Sequence, residues 1–143
     1  MRNIVLIVVI MIFCSGCTND RNYKEIDVIS ASGHKTDNWY SESNSVFVDE
    51  ATISNREACV YEIIRRVVAD DFKEIDFSFE ENGYPNELSV TVYTSKQAFE
   101  VGIKAFEFEY VTEYDSEKIW NQNNIKDNPD KFLIVYEKAK LEN

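Results

Sequence analysis

Carboxylates are the chemically active side chains that this chain holds in greatest number, with 26 Asp and Glu against 15 Lys and Arg and a net charge of −11. Glu107, Glu109 and Glu113 share one face of a predicted strand. They lack the spacing of a calcium loop, which brings about six to eight oxygen ligands together. A glycosidase needs two carboxylates across a cleft, which sequence alone cannot identify. We therefore expect a solvated acidic face that also discourages edge-to-edge association of the sheet.

Nucleophilic catalysis requires an activated Ser, Cys or Thr with a base in reach. His34 is the single histidine and lies in a polar stretch, where a solvated side chain is expected rather than a rigidly held base. Cys59 lies in the first turns of a predicted helix, where the pKa of a thiol can fall, but burial as a small side chain is the expected role. Hydrolase elbows, phosphate loops and paired-Cys motifs are absent. The sequence thus predicts no catalytic residue, metal site or cofactor.

Aromatic residues are the best candidates for ligand binding, because they dominate recognition hot spots. Five phenylalanines fit predicted core positions instead: Phe72, Phe77, Phe79, Phe106 and Phe108. Among the remaining aromatic residues we assign a candidate ligand surface to Tyr93, Tyr114 and Trp120, the last two beside an Asn-rich loop. Core or rim packing is the alternative for each of them.

One long helix is predicted over about residues 54–70. Ser54 and Glu57 have the spacing of a capping box. Val60, Ile64 and Val67 then recur at helical spacing.

The period changes to two after this helix. The alternation predicts a strand over 75–80, a turn over 81–86 and a partner strand over 88–93. Residues 95–101 form either a short helix ended by Gly102 or an irregular connection. Further elements are expected over 104–114 (strand), 116–123 (helix) and 132–137 (strand). Together these elements predict an α+β fold, with one long helix packed on a mostly antiparallel sheet of about four to five strands.

The N-terminus has an apolar run from Ile4 to Phe13, which is too short to span a bilayer and fits the apolar region of an export signal. It ends in Cys14-Ser15-Gly16-Cys17, which resembles the lipobox of bacterial lipoproteins. The resemblance implies cleavage between Gly16 and Cys17 and a thioether-linked diacylglycerol on Cys17. The open alternatives are an ordinary signal peptide cut after Gly16 and an uncleaved anchor.

The predicted organisation is a signal peptide over 1–16, a lipidated Cys17 with a polar tether over 17–45, and a single α+β domain over 46–143. Residues 23–29 are left open as a strand that joins the sheet. As a flexible coil, the 28 residues of the spacer 18–45 would reach roughly 30 Å. Cleavage would remove Arg2 and leave a side-chain charge of −12, which an anionic membrane repels within about a Debye length. We expect a domain held off the membrane.

These observations predict an exported protein, lipid-anchored to a bacterial membrane and facing outside the cytoplasm. Its expected role is a binding or interaction module of the cell envelope, without enzymatic activity, whose partner is an envelope protein, a peptide or a glycan. Nucleic acid is not expected, since phosphate binding depends on Lys and Arg. One alternative is a small envelope hydrolase that uses acidic residues. The other is an inhibitor- or immunity-type protein, suggested by fold analogy.

Overall fold

The structure, a computed structural model, describes residues 26–112 and 123–136. Its strands are β1 (Ile26–Lys35), β2 (Tyr40–Val48), β3 (Glu87–Tyr93), β4 (Phe106–Thr112) and β5 (Phe132–Tyr136). Its α-helices are α1 (Glu50–Ile53), α2 (Arg56–Ala69), α3 (Phe79–Asn82) and α4 (Lys96–Glu100). A 3-10 turn covers Pro129–Lys131. Within these residues no helix has the length and hydropathy needed to cross a membrane.

The five strands form one sheet in the order in which they occur along the chain. β2 and β3 are parallel, and the other three neighbouring pairs are antiparallel. A parallel pair needs a long crossover connection, which here contains α1, α2 and α3. The predicted α+β fold with a mostly antiparallel sheet is therefore confirmed.

Helix α2 has 14 residues and is the one helix of seven or more residues in the described part of the chain, so it is not especially long. Asn55 caps it, since its Oδ1 accepts from the Ala58 amide at 3.1 Å. The predicted cap, Ser54, instead donates its hydroxyl to the Ala51 carbonyl. The cap lies one residue later than predicted because residues 50–53 already form α1.

Helix α2 runs across the strands at one end of the sheet. Its first-turn Arg56 lies over the Phe106 ring at 4.9 Å, and Arg66 near its end donates to the Ile26 carbonyl at 3.1 Å. We call this end the base of the sheet: β1 begins there, β2 and β3 end there, and β4 begins there. The opposite end, with the turn between β1 and β2, is the top.

The sheet has one buried face and one solvent-accessible face, because inward and outward residues alternate along β2, β3 and β4. The buried face packs against the apolar side of α2: Cys59, Val60, Ile63, Ile64 and Val67. We call the other face the outer face. Of the five phenylalanines predicted to lie in the core, four are buried: Phe77, Phe79, Phe106 and Phe108. The fifth, Phe72, is partly buried and packs against the core.

The predicted strand over 75–80 is wrong. Ser78 has a left-handed backbone (φ 52°), which ends any extended run, and Phe79 begins α3. Phe77 and Phe79 are nevertheless both buried, with stacked rings whose centroids are 5.0 Å apart. An irregular segment can bury alternate aromatic rings as a strand does. The period of two therefore predicted the burial of these rings correctly, but it predicted the wrong backbone conformation.

The expectation that residues 18–45 form a polar tether does not hold from Ile26 onward, because residues 26–35 form β1, residues 36–39 form a turn and β2 begins at Tyr40. The physical reason is visible in β2, where Glu42 and Asn44 are buried on the core face. These two polar residues interrupt the apolar alternation by which a half-buried strand is recognised.

Other predicted elements agree with the structure where it describes them. The strands over 88–93, 104–114 and 132–137 correspond to β3, β4 and β5. The short helix after Ser95 is present as α4, with the Ser95 hydroxyl accepting from the Ala98 amide at 2.9 Å. The export signal with Gly16 and Cys17, Glu113, and residues 116–122 of the helix predicted over 116–123 lie outside the described residues.

Candidate functional site

A polar strip runs along the outer face of the sheet. Strand register brings Ser43 of β2 beside Ser89 of β3, and Ser89 beside Glu109 of β4. We name this the hydroxyl–carboxylate strip; its members are Ser41, Ser43, Ser45, Glu87, Ser89, Thr91, Glu107 and Glu109. All of these side chains are at least partly exposed.

The strip is about 13 Å long, since four residue steps separate Ser41 from Ser45 and Glu87 from Thr91 at roughly 3.3 Å per residue. A shallow cavity of about 410 Å³ lies over β3, β4 and β5, lined by Ser89, Thr91, Glu107, Glu109 and Val135 among others.

Aromatic side chains stand at both ends of the strip. At the top, the Trp39 indole donates to the Glu87 carboxylate. At the base, the partly buried Tyr93 packs edge-on against Phe99 of α4, with ring centroids 5.3 Å apart. The structure therefore places Tyr93, one of the predicted ligand residues, at the edge of this strip. Tyr114 and Trp120 lie outside the described residues, so their proximity to Tyr93 stays a prediction.

The acidic groups of the strip differ in their electrostatic environment. Burial raises the pKa of Glu87 above its usual range, and the nearby Glu109 charge raises it further, while the bond from Trp39 opposes both. Glu107 forms an ion pair with Lys104 at 2.7 Å. Glu109 is exposed. The strip therefore combines a carboxyl group that is easily protonated with one open to solvent, and it attracts cations.

A second polar cluster lies on the core face, at the top of β1 and β2. Tyr40 donates its hydroxyl to Glu42 Oε2 at 2.5 Å, and the Asn44 amide, turned so that it donates, reaches Glu42 Oε1 at 3.1 Å. Gly33 makes room for this pair, because a Cβ there would lie 2.9 Å from Glu42 Oε2. Burial raises the pKa of Glu42, and the bond from Tyr40 opposes that rise. Both carboxylate oxygens therefore have donors from β2 itself, and Gly33 of β1 leaves the space that the pair occupies.

Two residues considered as nucleophile or base take structural positions. His34 lies exposed on β1, in register with Ser41. Cys59 is fully buried beneath the sheet, where burial, with a smaller effect from Asp49, raises the pKa of its thiol to about 11. The expectation of a buried Cys59 is confirmed, and such a thiol stays protonated at neutral pH.

A larger groove of about 840 Å³ lies at the base, beside the start of β1. Its aromatic lining is Phe47, Phe72 and Phe99, and its basic residues are Arg65, Arg66, Lys73 and Lys96. Both arginines bind Glu62, at 2.8 and 2.9 Å, which lowers the pKa of that carboxyl group. Sequence reasoning missed this groove because its residues come from five separate segments of the chain.

In residues 26–112 and 123–136, no group of three or more His, Cys, Asp or Glu side chains could hold a metal ion. Comparison with known proteins gives no match: no family model, no curated protein and no solved structure is significantly similar to the chain. Its own geometry defines it as an α+β protein with one polar, acidic sheet face open to solvent.

Proposed function

We propose that this protein is an exported bacterial lipoprotein, anchored through Cys17, whose folded domain binds a cationic, extended peptide segment of an envelope protein. The observation that supports the binding role is the hydroxyl–carboxylate strip, which is at least partly exposed, about 13 Å long and bounded by Trp39 and Tyr93. The lipobox resemblance of residues 14–17 supports the anchor.

The chemistry of the strip favours a cationic ligand. Glu107 and Glu109 lie on the same strand face and accept hydrogen bonds from ammonium or guanidinium groups, and these charge-assisted bonds are the stronger kind. Ser89 and Thr91 supply hydroxyls that pair with peptide groups between the charges. The net charge of −11 attracts a cationic partner at long range and raises its association rate.

Charge-neutral substitutions in the strip test this role. Glu87→Gln combined with Glu109→Gln should weaken binding to immobilised lysine- and arginine-containing hexapeptides about fivefold to tenfold, because exposed ion pairs contribute roughly 0.2–1 kcal/mol each. The matched control is Glu80→Gln combined with Glu81→Gln, which makes the same charge change on α3, away from the strip. Crosslinking from membranes with the intact anchor then identifies the natural partner.

Equal binding by the strip variant and the control variant would contradict the proposed site. Preference of the intact protein for neutral glycans over cationic peptides would contradict the proposed ligand. An inhibitor- or immunity-type protein would use the same strip, and the captured partner would then be an enzyme.

A second candidate, a small envelope hydrolase, is favoured by one observation. The carboxyl group of Glu87 has a raised pKa and lies near the Glu109 charge, which is the pairing that a general acid and a base require. Turnover of envelope peptide or glycan that Glu87→Gln abolishes, while binding persists, would support this candidate over the binding module.

A further inference from the structure

We propose that the base of the sheet is a second membrane contact, at which Val101 and Ile103 enter the headgroup region of the bilayer. The inference rests on the proposed lipidation of Cys17. It concerns the orientation of the domain, not its ligand.

The turn between α4 and β4 has an apolar tip, formed by Val101 and Ile103. Ile103 is 67% exposed and Val101 is 62% exposed, the highest values among the large apolar side chains of the described residues. Leaving two such side chains in water is unfavourable, because apolar surface is more stable when it is removed from water. Val101 and Ile103 are separated by one residue, so both belong to the same exposed turn, and we treat this apolar turn as a candidate contact surface.

The backbone of this tip is held in place. The Ile103 amide donates to the Ala98 carbonyl at 2.8 Å, and the Gly102 amide donates to the Phe99 carbonyl at 3.1 Å. Gly102 has a φ of 75°, the left-handed conformation that commonly ends a helix. The chain therefore presents Val101 and Ile103 to solvent by its own turn geometry.

The tip lies at the end of the sheet where the described chain begins. Ile26 pairs with Val48, Phe47 pairs with Tyr93, and α4 with the tip joins Tyr93 to Phe106, all at the base. The groove of about 840 Å³ joins the two regions directly, because Ile26, Lys96, Phe99 and Glu100 all line it. Val101 follows Glu100 in the chain.

The short segment between Cys17 and strand β1 favours a membrane as the partner of this surface. Residues 18–25 separate Cys17 from Ile26, and nine residue steps span at most about 30 Å when fully extended. Strand β1 alone, with 10 residues, is about 33 Å long. Because the segment from Cys17 joins the sheet at Ile26, the base lies closer to the bilayer on average than the top does.

The charges at the base indicate which kind of lipid headgroup the tip contacts. Lys96 and Lys104 flank the tip, but Glu100 lies beside it and Lys104 is paired with Glu107. The local charge is balanced, while the net charge of −11 opposes an anionic surface. The geometry therefore points to zwitterionic headgroups as the partner, with apolar insertion rather than charge as the attractive interaction.

Depth-dependent quenching tests the contact in the full-length protein, purified from bacterial membranes and reconstituted into phosphatidylethanolamine–phosphatidylcholine vesicles. Ile103→Cys carries a fluorophore, and a lipid with a nitroxide near its headgroup quenches it. Cys59 is fully buried and does not react. The matched control is Asn38→Cys, which is exposed in the turn at the top. We expect severalfold stronger quenching at 103 than at 38.

A second variant keeps the test independent of the label position. With the fluorophore on Ala105→Cys, V101S combined with I103S should remove most of the quenching. Equal, weak quenching at 103 and 38 in a protein whose Cys17 carries lipid would overturn the membrane contact and leave the anchor intact. Absence of lipid on Cys17, seen by mass spectrometry, would overturn the anchor and this inference together.

Discussion

At the scale of single residues, the buried carboxyl group of Glu42 is the most consequential feature of the core. It is 3% exposed, and its two oxygens accept from Tyr40 and Asn44. Ionising a carboxyl group away from water costs free energy, which the two hydrogen bonds only partly offset. This residue also hid residues 40–45 of β2 from sequence-based prediction, because a buried glutamate cannot be distinguished from an exposed one by its position alone.

The raised pKa of Glu42 predicts a pH-dependent contribution to stability. Between its ordinary pKa and its raised pKa in the folded state, the folded protein binds more protons than the unfolded chain. The stability contributed by this group is therefore full at pH values below the ordinary pKa and is lost as the pH rises through the folded pKa.

Glu42→Gln should accordingly raise the Tm at pH 7 to 8 by a few degrees, since about 1 kcal/mol shifts the Tm of a domain of this size by roughly 4–8 °C. The gain should shrink below about pH 4, where both proteins are neutral at this position. Thermal unfolding of both proteins across this pH range provides the measurement, with exposed Glu81→Gln as the control. A gain in Tm on Glu42→Gln substitution that is smaller at pH 8 than at pH 4 would contradict this prediction.

At the scale of elements, helix α2 shows how local signals compete. Ser54 and Glu57 satisfy the sequence pattern of a capping box, yet Asn55 accepts the capping hydrogen bond and Ser54 ends the preceding α1. A capping pattern indicates that a helix begins nearby, and the neighbouring turn decides which residue becomes the cap.

Substitution at the two positions separates these roles. Asn55→Ala should lower the free energy of unfolding by about 1 kcal/mol, as loss of an N-cap usually does. Ser54→Ala, which loses an exposed bond to the Ala51 carbonyl, should have a smaller effect, within about 0.5 kcal/mol. Chemical denaturation measures both free energies of unfolding. A larger loss for Ser54→Ala than for Asn55→Ala would indicate that Ser54 caps the helix, as the sequence pattern predicts.

Elements with strong apolar periodicity could be predicted from the sequence, and elements with polar residues in the core could not. Helix α2 and strands β3 and β4 follow their periods closely, since Leu88, Val90 and Val92 are all buried. The segment around Ser78 deviates because a positive φ at a non-glycine residue depends on tertiary packing.

The candidate site was predictable only in part. Glu107 and Glu109 were recognised as one acidic face, and Tyr93 as a surface aromatic residue. The serines of β2 complete the strip only when the parallel pairing of β2 with β3 is known. That pairing depends on a crossover through residues 49–86, a long-range contact with no local signal in the sequence.

At the scale of the whole molecule, the position of β1 changes how the domain relates to a membrane. A spacer over 18–45 would let the domain move freely about 30 Å away from the bilayer. With β1 beginning at Ile26, the proposed lipid on Cys17 would hold the domain close to the bilayer through the segment 18–25, with its base nearest. In the proposed orientation the outer face of the sheet would be directed sideways into the aqueous phase, where the hydroxyl–carboxylate strip would be open to a partner.

The anchor on Cys17 is the claim on which this arrangement depends, and the intact mass of the protein extracted from bacterial membranes tests it most directly. We predict a chain that begins at Cys17 and carries the added mass of a diacylglycerol, and a Cys17→Ala variant that lacks this mass and leaves the membrane fraction. Two fatty chains suffice for stable anchoring, at about 0.8 kcal/mol per buried methylene. A chain cut elsewhere, or one that begins at Cys17 with an unmodified thiol, would contradict the account.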